Sequence, residues 1–315
     1  MTFNITYEQA GKTVLSFLKS NLKISSSALS ALKRDPIGIM VNGAHVTVRY
    51  VLKENDLLII NEIDLPDESN EAILPVNIPI DIIFENDDII LIDKPPHMPT
   101  HPSHGHTDDT LANAVAFMYK SKEVPFVFRP IGRLDRNTSG ISLIAKHIIS
   151  ASFMYYARQK KLINKKYLAI LSGRVESDGD YHIIDTYMKR QEESIIVRCV
   201  GYAEDPDASR AITQWRLLYA NDDISIVEAI PITGRTHQLR VHFAHIGHPI
   251  LGDDVYGTPS NIIPRHALHA AFLSLPIPYG DKTEDYLSPP PADMISAAKH
   301  FGCDLEVIFK NQFNR

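Results

Sequence analysis

Arg133-Leu134-Asp135-Arg136-Asn137-Thr138-Ser139-Gly140 runs directly into the apolar stretch Ile141–Ala145. One carboxylate stands between two guanidinium groups, followed by turn-and-cap residues and then by a strand-like run. Flanking cations favour the ionised form of such an aspartate, and an ionised, oriented carboxylate can work as a nucleophile or a base. A surface ion-pair network around a turn would use the same residues. From these eight positions alone, both explanations stand.

The neighbourhood adds weight to chemistry. Between Arg129 and Arg174 there are ten Lys or Arg, and Asp135 is the only acid, whereas Glu54–Asp93 carries twelve acids and no Lys or Arg. The 315-residue chain as a whole has 32 basic and 38 acidic residues, a net charge of −6 that argues weakly against nucleic acid. The local excess argues for an anionic partner at one place.

Outward from that segment, strand-like runs fall at Ile80–Phe84, Ile89–Ile92, Gly140–Ala145, Tyr167–Leu171, Ile195–Cys199, Ile212–Tyr219 and Ile224–Ile230. Helical spacing falls at Thr110–Lys120, His147–Gln159 and Thr236–Ile246. Many strands with few helices predict an α+β fold on a mixed, largely antiparallel sheet. Pro276–Pro291 reads as a surface loop. Nearer the N-terminus, Val14–Leu22 and Ala28–Arg34 have helical spacing, Ser25–Ser27 offer N-caps, Asn42-Gly43 marks a hairpin turn, and Leu57–Ile60 is a closing strand. The acidic, proline-interrupted stretch 62–79 reads as a linker. The expected organisation is a small α/β module over 1–61, a linker over 62–79 and a larger domain over 80–315.

Two further segments attract attention. In Pro231-Ile-Thr-Gly-Arg-Thr-His-Gln-Leu-Arg-Val-His242, Gly234 permits a tight turn and Thr233 or Thr236 can cap the following helix. Arg240 can reach a carboxylate, and Arg235 near the helix start can hold a phosphate; a plain amphipathic helix with solvated arginines would look similar. The run Arg158-Gln-Lys-Lys-Leu-Ile-Asn-Lys-Lys-Tyr167 places five cations in nine residues before an aromatic ring, which suits a phosphate backbone plus stacking but also a solvated helix end.

Composition excludes several classes. Apolar residues make up 44% and charged residues 22%, as in ordinary globular proteins. No run reaches the roughly 18 apolar residues of a membrane helix, and no signal peptide is visible. Cys199 and Cys303 form no CxxC-type pair, so a reduced, cytoplasmic protein is expected. The fourteen histidines include two clusters, His97/His101/His104/His106 and His237/His242/His245/His248, but neither has zinc-ligand spacing, and no metal is expected. Neither a GxxxxGKS/T loop nor GxGxxG occurs, so no nucleotide cofactor is expected.

Taken together, the segments resemble the RNA pseudouridine synthases of the RluA/RluD type, the large-subunit ribosomal RNA family. RLDRNTSG at 133–140 is similar to that family's catalytic motif, KKYLAIL at 165–171 to its second, and TGRTHQLRVHFAHIGHPILGDDVYG at 233–257 to its third. Ile92-Asp-Lys-Pro95, His101-Pro-Ser103, Thr110-Leu-Ala-Asn113 and Arg265-His-Ala-Leu-His-Ala270 also match, so the likeness spans roughly 80–295. Gly132 departs from the pattern, because many relatives carry His there. Residues 12–60 resemble, more loosely, the small RNA-binding domain named after ribosomal protein S-four, although Lys12-Thr13-Val14 replaces its usual Arg-Leu-Asp and basic residues are sparse.

The resemblance implies isomerisation of specific uridines to pseudouridine in structured RNA, ribosomal or transfer, without a cofactor; a monomer is the default expectation. The alternative is a non-catalytic RNA-binding or ribosome-assembly factor on the same fold. The resemblance further implies that Asp135 is the catalytic carboxylate, attacking ribose carbon 1 or the uracil ring, or taking a ribose proton. Arg240 would be its salt-bridge partner, and Tyr167 would pack on the extruded base and help remove the proton from carbon 5. Leu239 would contact the base. Arg133, Arg136, Arg235 and His237 would bind the nucleotide or its backbone, and Lys160, Lys161, Lys165 and Lys166 would hold phosphates.

Overall fold

Asn42 and Gly43 both have positive φ, 52° and 81°, and make the tight turn between β2 (Ile39–Val41) and β3 (Ala44–His45). With β1 (Thr2–Asn4) and β4 (Leu57–Ile60) these strands form a sheet ordered β1-β4-β2-β3. Helices α1 (Val14–Asn21) and α2 (Ser26–Arg34) start where Thr13 and Ser25 hydroxyls accept the N–H groups of Ser16 and Ala28. Val14, Phe17, Leu18, Ala28 and Leu32 then bury themselves against Ile39, Val41, Leu58 and Ile60. Ile149 closes the same core from the larger part of the chain.

The protein is described by a computed structural model covering residues 1–61, 73–194, 196–279 and 282–313. Most of the acidic stretch expected to be a linker, 62–72, lies outside those residues. Its remainder is not free chain: Val76 N–H donates to Asn113 O at 3.2 Å, the Asn113 amide donates to Leu74 O at 2.7 Å, and Ile73 and Ile78 pack on a core cluster.

The main sheet is built from β5 (Asp81–Glu85), β6 (Ile89–Lys94), β7 (Arg129–Pro130), β8 (Ser139–Ala145), β9 (Asn164–Ser172), β10 (His182–Arg190), β11 (Arg198–Gly201), β12 (Ser209–Ala220), β13 (Ile224–Pro231), β14 (Leu268–Pro276) and β15 (Thr283–Leu287). The strands run β11-β10-β12-β13-β9-β14-β8-β6-β5, with β15 added to β14 and β7 to β8. Among these pairings only β8 with β14 is parallel; the others are antiparallel. The architecture is therefore α+β on a mixed, largely antiparallel sheet. Helices α3 (Leu111–Ser121), α4 (Ile148–Gln159), α5 (Gln238–His245), α6 (Ala292–His300) and α7 (Leu305–Phe313) cover it. Among the described residues no helix is long and apolar enough to cross a membrane.

The structure corrects several sequence expectations. The strand expected at Ile195–Cys199 forms later, at Arg198–Gly201, because Gln191 and Ser194 make the hairpin turn first; Ile195 lies outside the described residues. Strand β10 was invisible because its alternation is broken by Asp185, Thr186 and Lys189, yet it pairs with β12 over seven positions. Pro276–Pro291 is not wholly a loop, since β15 runs inside it along β14. Helix α5 starts at Gln238 behind a left-handed His237 that provides no side-chain cap. Thr233 instead accepts the Ile212 N–H at 2.8 Å and donates to Gln238 at 2.7 Å, tying the 233–238 loop to β12.

The parallel β8–β14 step needs Gly140. At φ +103° a Cβ there would stand 2.3 Å from Ala270 O, inside van der Waals contact and in backbone space that favours glycine. Gly140→Ala should cost at least about 2 kcal/mol, read as a lower urea midpoint. A midpoint equal to wild type would show that the two strands separate without penalty.

Candidate functional site

Residues 133–138 form an irregular loop entering β8, and its carbonyls need partners once packed away from water. Lys94, fully buried at the end of β6, donates to Arg136 O at 3.2 Å, to Pro95 O at 2.8 Å and to Met98 O at 2.9 Å. Thr100 donates its hydroxyl to Leu134 O at 3.1 Å. Arg265, also fully buried, donates to Asn137 O at 2.9 Å and is neutralised by Asp293 at 2.6 Å. Below them, Thr138 Oγ1 bonds His266 Nε2 and Ser139 Oγ bonds His269 Nδ1, each at 2.9 Å. His269 Nε2 faces Ser288 O at 2.9 Å; a carbonyl only accepts, so that nitrogen carries the proton.

These supports have depressed basicity. Burial, reinforced by Arg265, lowers Lys94 to about 7 against the opposing fields of Asp135 and Asp93. Burial likewise lowers His266 to about 3 and His269 to about 4. Both histidines are neutral hydrogen-bonding parts at neutral pH.

The loop presents Asp135, half-buried, to a cleft of about 2010 Å³. Among the described residues its carboxylate has no hydrogen bond or ion pair, in contrast to Asp253, Asp293 and Glu228. Tyr167, Leu239, Arg240, His237, Arg133, Arg136, Arg235, Lys161 and Lys165 line the same cleft. Tyr167 lies in the middle of the sheet, opposite Ala229 and Ala270. Burial and the charge of Asp135 both raise the pKa of its phenol. His237 is held at φ 57° with Nδ1 at 2.9 Å from the Tyr256 hydroxyl. Burial lowers its pKa, against the pull of Asp135.

Three residues differ from their expected positions. Arg240 forms its ion pair with Asp253, not Asp135: Nε and Nη2 each donate to a different Asp253 oxygen at 2.7 Å. Asp135 acts on Arg240 only through its field. Lys166 faces away from the cleft, bound to the buried Glu228 at 3.2 Å and lying over the Phe272 ring, because alternate residues of a strand point to opposite faces. Lys160 sits beyond α4, over Tyr156, and does not line the cleft. Arg136 reaches His106 at 3.2 Å, and Arg235 donates to Arg210 O at 3.1 Å.

Residues 88–245 match the family described as RNA pseudouridylate synthase. The uncharacterized RNA pseudouridine synthase YjbO of Bacillus subtilis is 37% identical over 280 residues, covering 88% of this chain and 95% of that protein. The chain belongs to the RNA pseudouridylate synthase family. Ribosomal large subunit pseudouridine synthase D of Haemophilus ducreyi is 34% identical over 262 residues, 78% of each chain. The solved human RNA pseudouridylate synthase domain containing 1 superposes with a TM-score of 0.55 at 26% identity, covering 68% of this chain and 84% of that one. This pseudouridine synthase is thus an RNA-modifying isomerase, and its matched segment contains Asp135, Tyr167 and Arg240.

Sequence reasoning assigned no role to Lys94, Thr100, His266 or Asp253 in this pseudouridine synthase. A lone Lys closing the apolar run Ile89–Ile92 was the available signal for the first. Nothing in local spacing links Arg240 to Asp253. Among the described residues, no group of three or more His, Cys, Asp or Glu is placed to hold a metal ion.

Breaking the Arg240–Asp253 pair strands a buried charge. Asp253→Ala and Arg240→Met should each cost about 3–5 kcal/mol, and the double variant clearly less than their sum, measured by urea unfolding; strict additivity would mean the pair is not coupled. Burial would raise the Asp253 carboxyl, but hydrogen bonds from Arg240 and the loop backbone prevail and hold it below its usual value. Its stabilisation is therefore present above about pH 4 and is lost as pH falls through the lowered folded value. Asp253→Asn should flatten the acid limb of the stability profile.

Proposed function

We propose that this enzyme converts specific uridines of large-subunit ribosomal RNA to pseudouridine, with Asp135 as the catalytic carboxylate. The observation that carries the reading is the Asp135 carboxylate, with no hydrogen bond or ion pair among the described residues, in a cleft lined by cations. A protein that only held RNA would gain nothing from an anion there. The names of its relatives favour ribosomal RNA over transfer RNA. The enzyme is read as a cytoplasmic monomer.

The reaction breaks the bond from uracil N1 to ribose carbon 1, turns the ring, joins carbon 5 to carbon 1, and balances the proton lost from carbon 5 with one gained at N1. Substrate and product are isomers, so electrons balance without an oxidant or reductant. Reaching a stacked uridine means extruding it, at a cost on the order of a few kcal/mol, which phosphate contacts to Arg133, Arg136, Arg235, Lys161 and Lys165 repay. Leu239 and Tyr167 provide apolar walls for the extruded base, and the Tyr167 hydroxyl, without a protein partner among the described residues, can relay the carbon 5 proton by giving up its own to Asp135 or to solvent as it takes that one. Attack on carbon 1, attack on the ring and removal of a ribose proton all need an ionised Asp135. Arg240, fixed by Asp253, supplies positive potential nearby while being spared the cost of swinging. We read residues 1–61 as an S-four-like RNA-binding module and 80–315 as the synthase domain. The cleft reaches Ala31 and Arg34 of α2, which supports a continuous RNA path.

Asp135→Asn should lower turnover by more than about a thousandfold while changing RNA affinity little, since shape and the cationic lining are kept. Carbodiimide-based mapping of RNA from cells with and without the gene checks the substrate. Loss of defined large-subunit sites is the expected result. A lost transfer-RNA site would redirect the substrate assignment, and near-normal turnover by the variant would remove Asp135 from the chemistry.

A further inference from the structure

Arg158, in the last turn of α4, and Lys165, on β9, converge on one spot. A Cβ built on Gly132 would lie 3.6 Å from Lys165 Nζ and 3.9 Å from Arg158 Nη1, and one built on Gly234 would lie 3.2 Å from Arg158 Nη2. The guanidinium therefore spans two glycines, one just before the Asp135 loop and one at the turn before α5. The two cationic heads lie at ordinary van der Waals distance from the position a Cβ at 132 would take.

Two features make this more than a pair of solvated cations. Among the described residues neither head has a carboxylate within salt-bridge reach, whereas Arg240, Arg265, Lys166 and Arg210 all do. The pair also pays for its proximity: desolvation and the neighbouring Arg158 charge bring Lys165 down to about 8, with no anion opposing. Flexible like charges held together without a counter-ion, in a cleft, form half of an ion pair whose other half is a ligand.

We propose that Arg158 and Lys165 form a clamp for a single phosphodiester, floored by Gly132 and Gly234, that grips the RNA backbone next to the target nucleotide. The proposal rests on the RNA-modifying reading above and adds Arg158 to it, with both heads sharing one phosphate beside the target nucleotide. The position follows from the chain. Gly132 is three residues from Asp135, at most about 11 Å along an extended backbone. Lys165 shares its strand face with Tyr167, two residues on. Gly132 is favoured because its φ of +106° lies where L side chains are disfavoured, while a Cβ there would meet the two heads only at ordinary van der Waals distance.

The test is the salt dependence of binding to a large-subunit ribosomal RNA transcript, measured over a KCl series. One phosphate contact in single-stranded RNA contributes about 0.7 to the slope of log K against log salt. Either Arg158→Met or Lys165→Met leaves one cation on the same phosphate, so each should weaken binding with little change of slope. The double variant should lose about 0.7 of slope. An unchanged slope in the double variant overturns the clamp, and a loss near 1.4 overturns its single-phosphate form by showing two separate contacts. Arg158→Lys with Lys165→Arg should keep the wild-type slope, which separates charge from folding. If inorganic phosphate displaces RNA no better than chloride at equal ionic strength, and the slope still falls, the site is for the polymer. If free phosphate binds while the double variant keeps its slope, the RNA assignment fails. Pseudouridine formation by the wild type, assayed on the same transcript, keeps the two readings apart: turnover with an unaffected slope sinks only the clamp, and a slope change without turnover sinks only the function.

Discussion

The position of Asp135 depends on buried donors that satisfy the backbone of its loop. A segment that is neither helix nor strand cannot pair its own carbonyls, and leaving them unpaired away from water costs on the order of 1–3 kcal/mol each. Lys94, Thr100 and Arg265 supply the donors to Arg136, Leu134 and Asn137. Two of the three, Lys94 and Arg265, are basic groups fully buried, which is tolerable because each makes several hydrogen bonds and Arg265 also has Asp293. The carboxylate itself is left out of this network. It is oriented by the backbone it hangs from, and its own lone pairs stay available to a substrate.

Charge is sorted in the same way. The chain is acidic overall, yet the acids nearest the sheet centre are spent on structure: Glu228 on Lys166, Asp253 on Arg240, Asp293 on Arg265. Cations facing the cleft are mostly left with backbone or histidine partners, or with none. Net charge is therefore a poor guide to the partner, because it sums paired and unpaired groups alike, whereas paired charges largely cancel and the field of unpaired ones acts within a Debye length of about 8–10 Å.

Much of this was legible in the sequence, for reasons that differ by element. The Asn42-Gly43 hairpin, the Ser25 and Thr13 caps and the apolar strands β6, β8, β9 and β13 follow from local stereochemistry and burial. The Asp135 and 233–242 segments stood out because they match the family's motifs, since their residue types alone also fit a surface ion-pair network or a solvated helix. What could not be read depends on contacts distant in the chain. The half-exposed strand β10 is held by β12, the left-handed start of α5 is set by Thr233, Gln238 and Tyr256, and the partner of Arg240 lies thirteen residues on. Loop 73–79 looked like a linker because its polar, acidic context masked Ile73 and Ile78, the two residues that pack.

The basic run shows how one signal can cover residues with different roles. Counting five cations from Arg158 to Lys166 treats them as equivalent. A strand divides its side chains by parity. On β9 the odd positions, Lys165 and Tyr167, face the cleft, and the even position, Lys166, crosses to Glu228, where Tyr181, Arg216 and Gln312 also gather. Glu228 is fully buried, and these partners satisfy its carboxyl oxygens. The same two-residue period therefore provides a ligand-facing cation and a structural one from adjacent lysines. Lys160 and Lys161, in the turn after α4, obey no such period, and their roles are set by a left-handed residue at 161 with φ 57° that turns one into the cleft and leaves the other over Tyr156. Where a basic patch overlaps a strand, it is therefore parity, more than density, that separates residues able to touch RNA from those holding the sheet together.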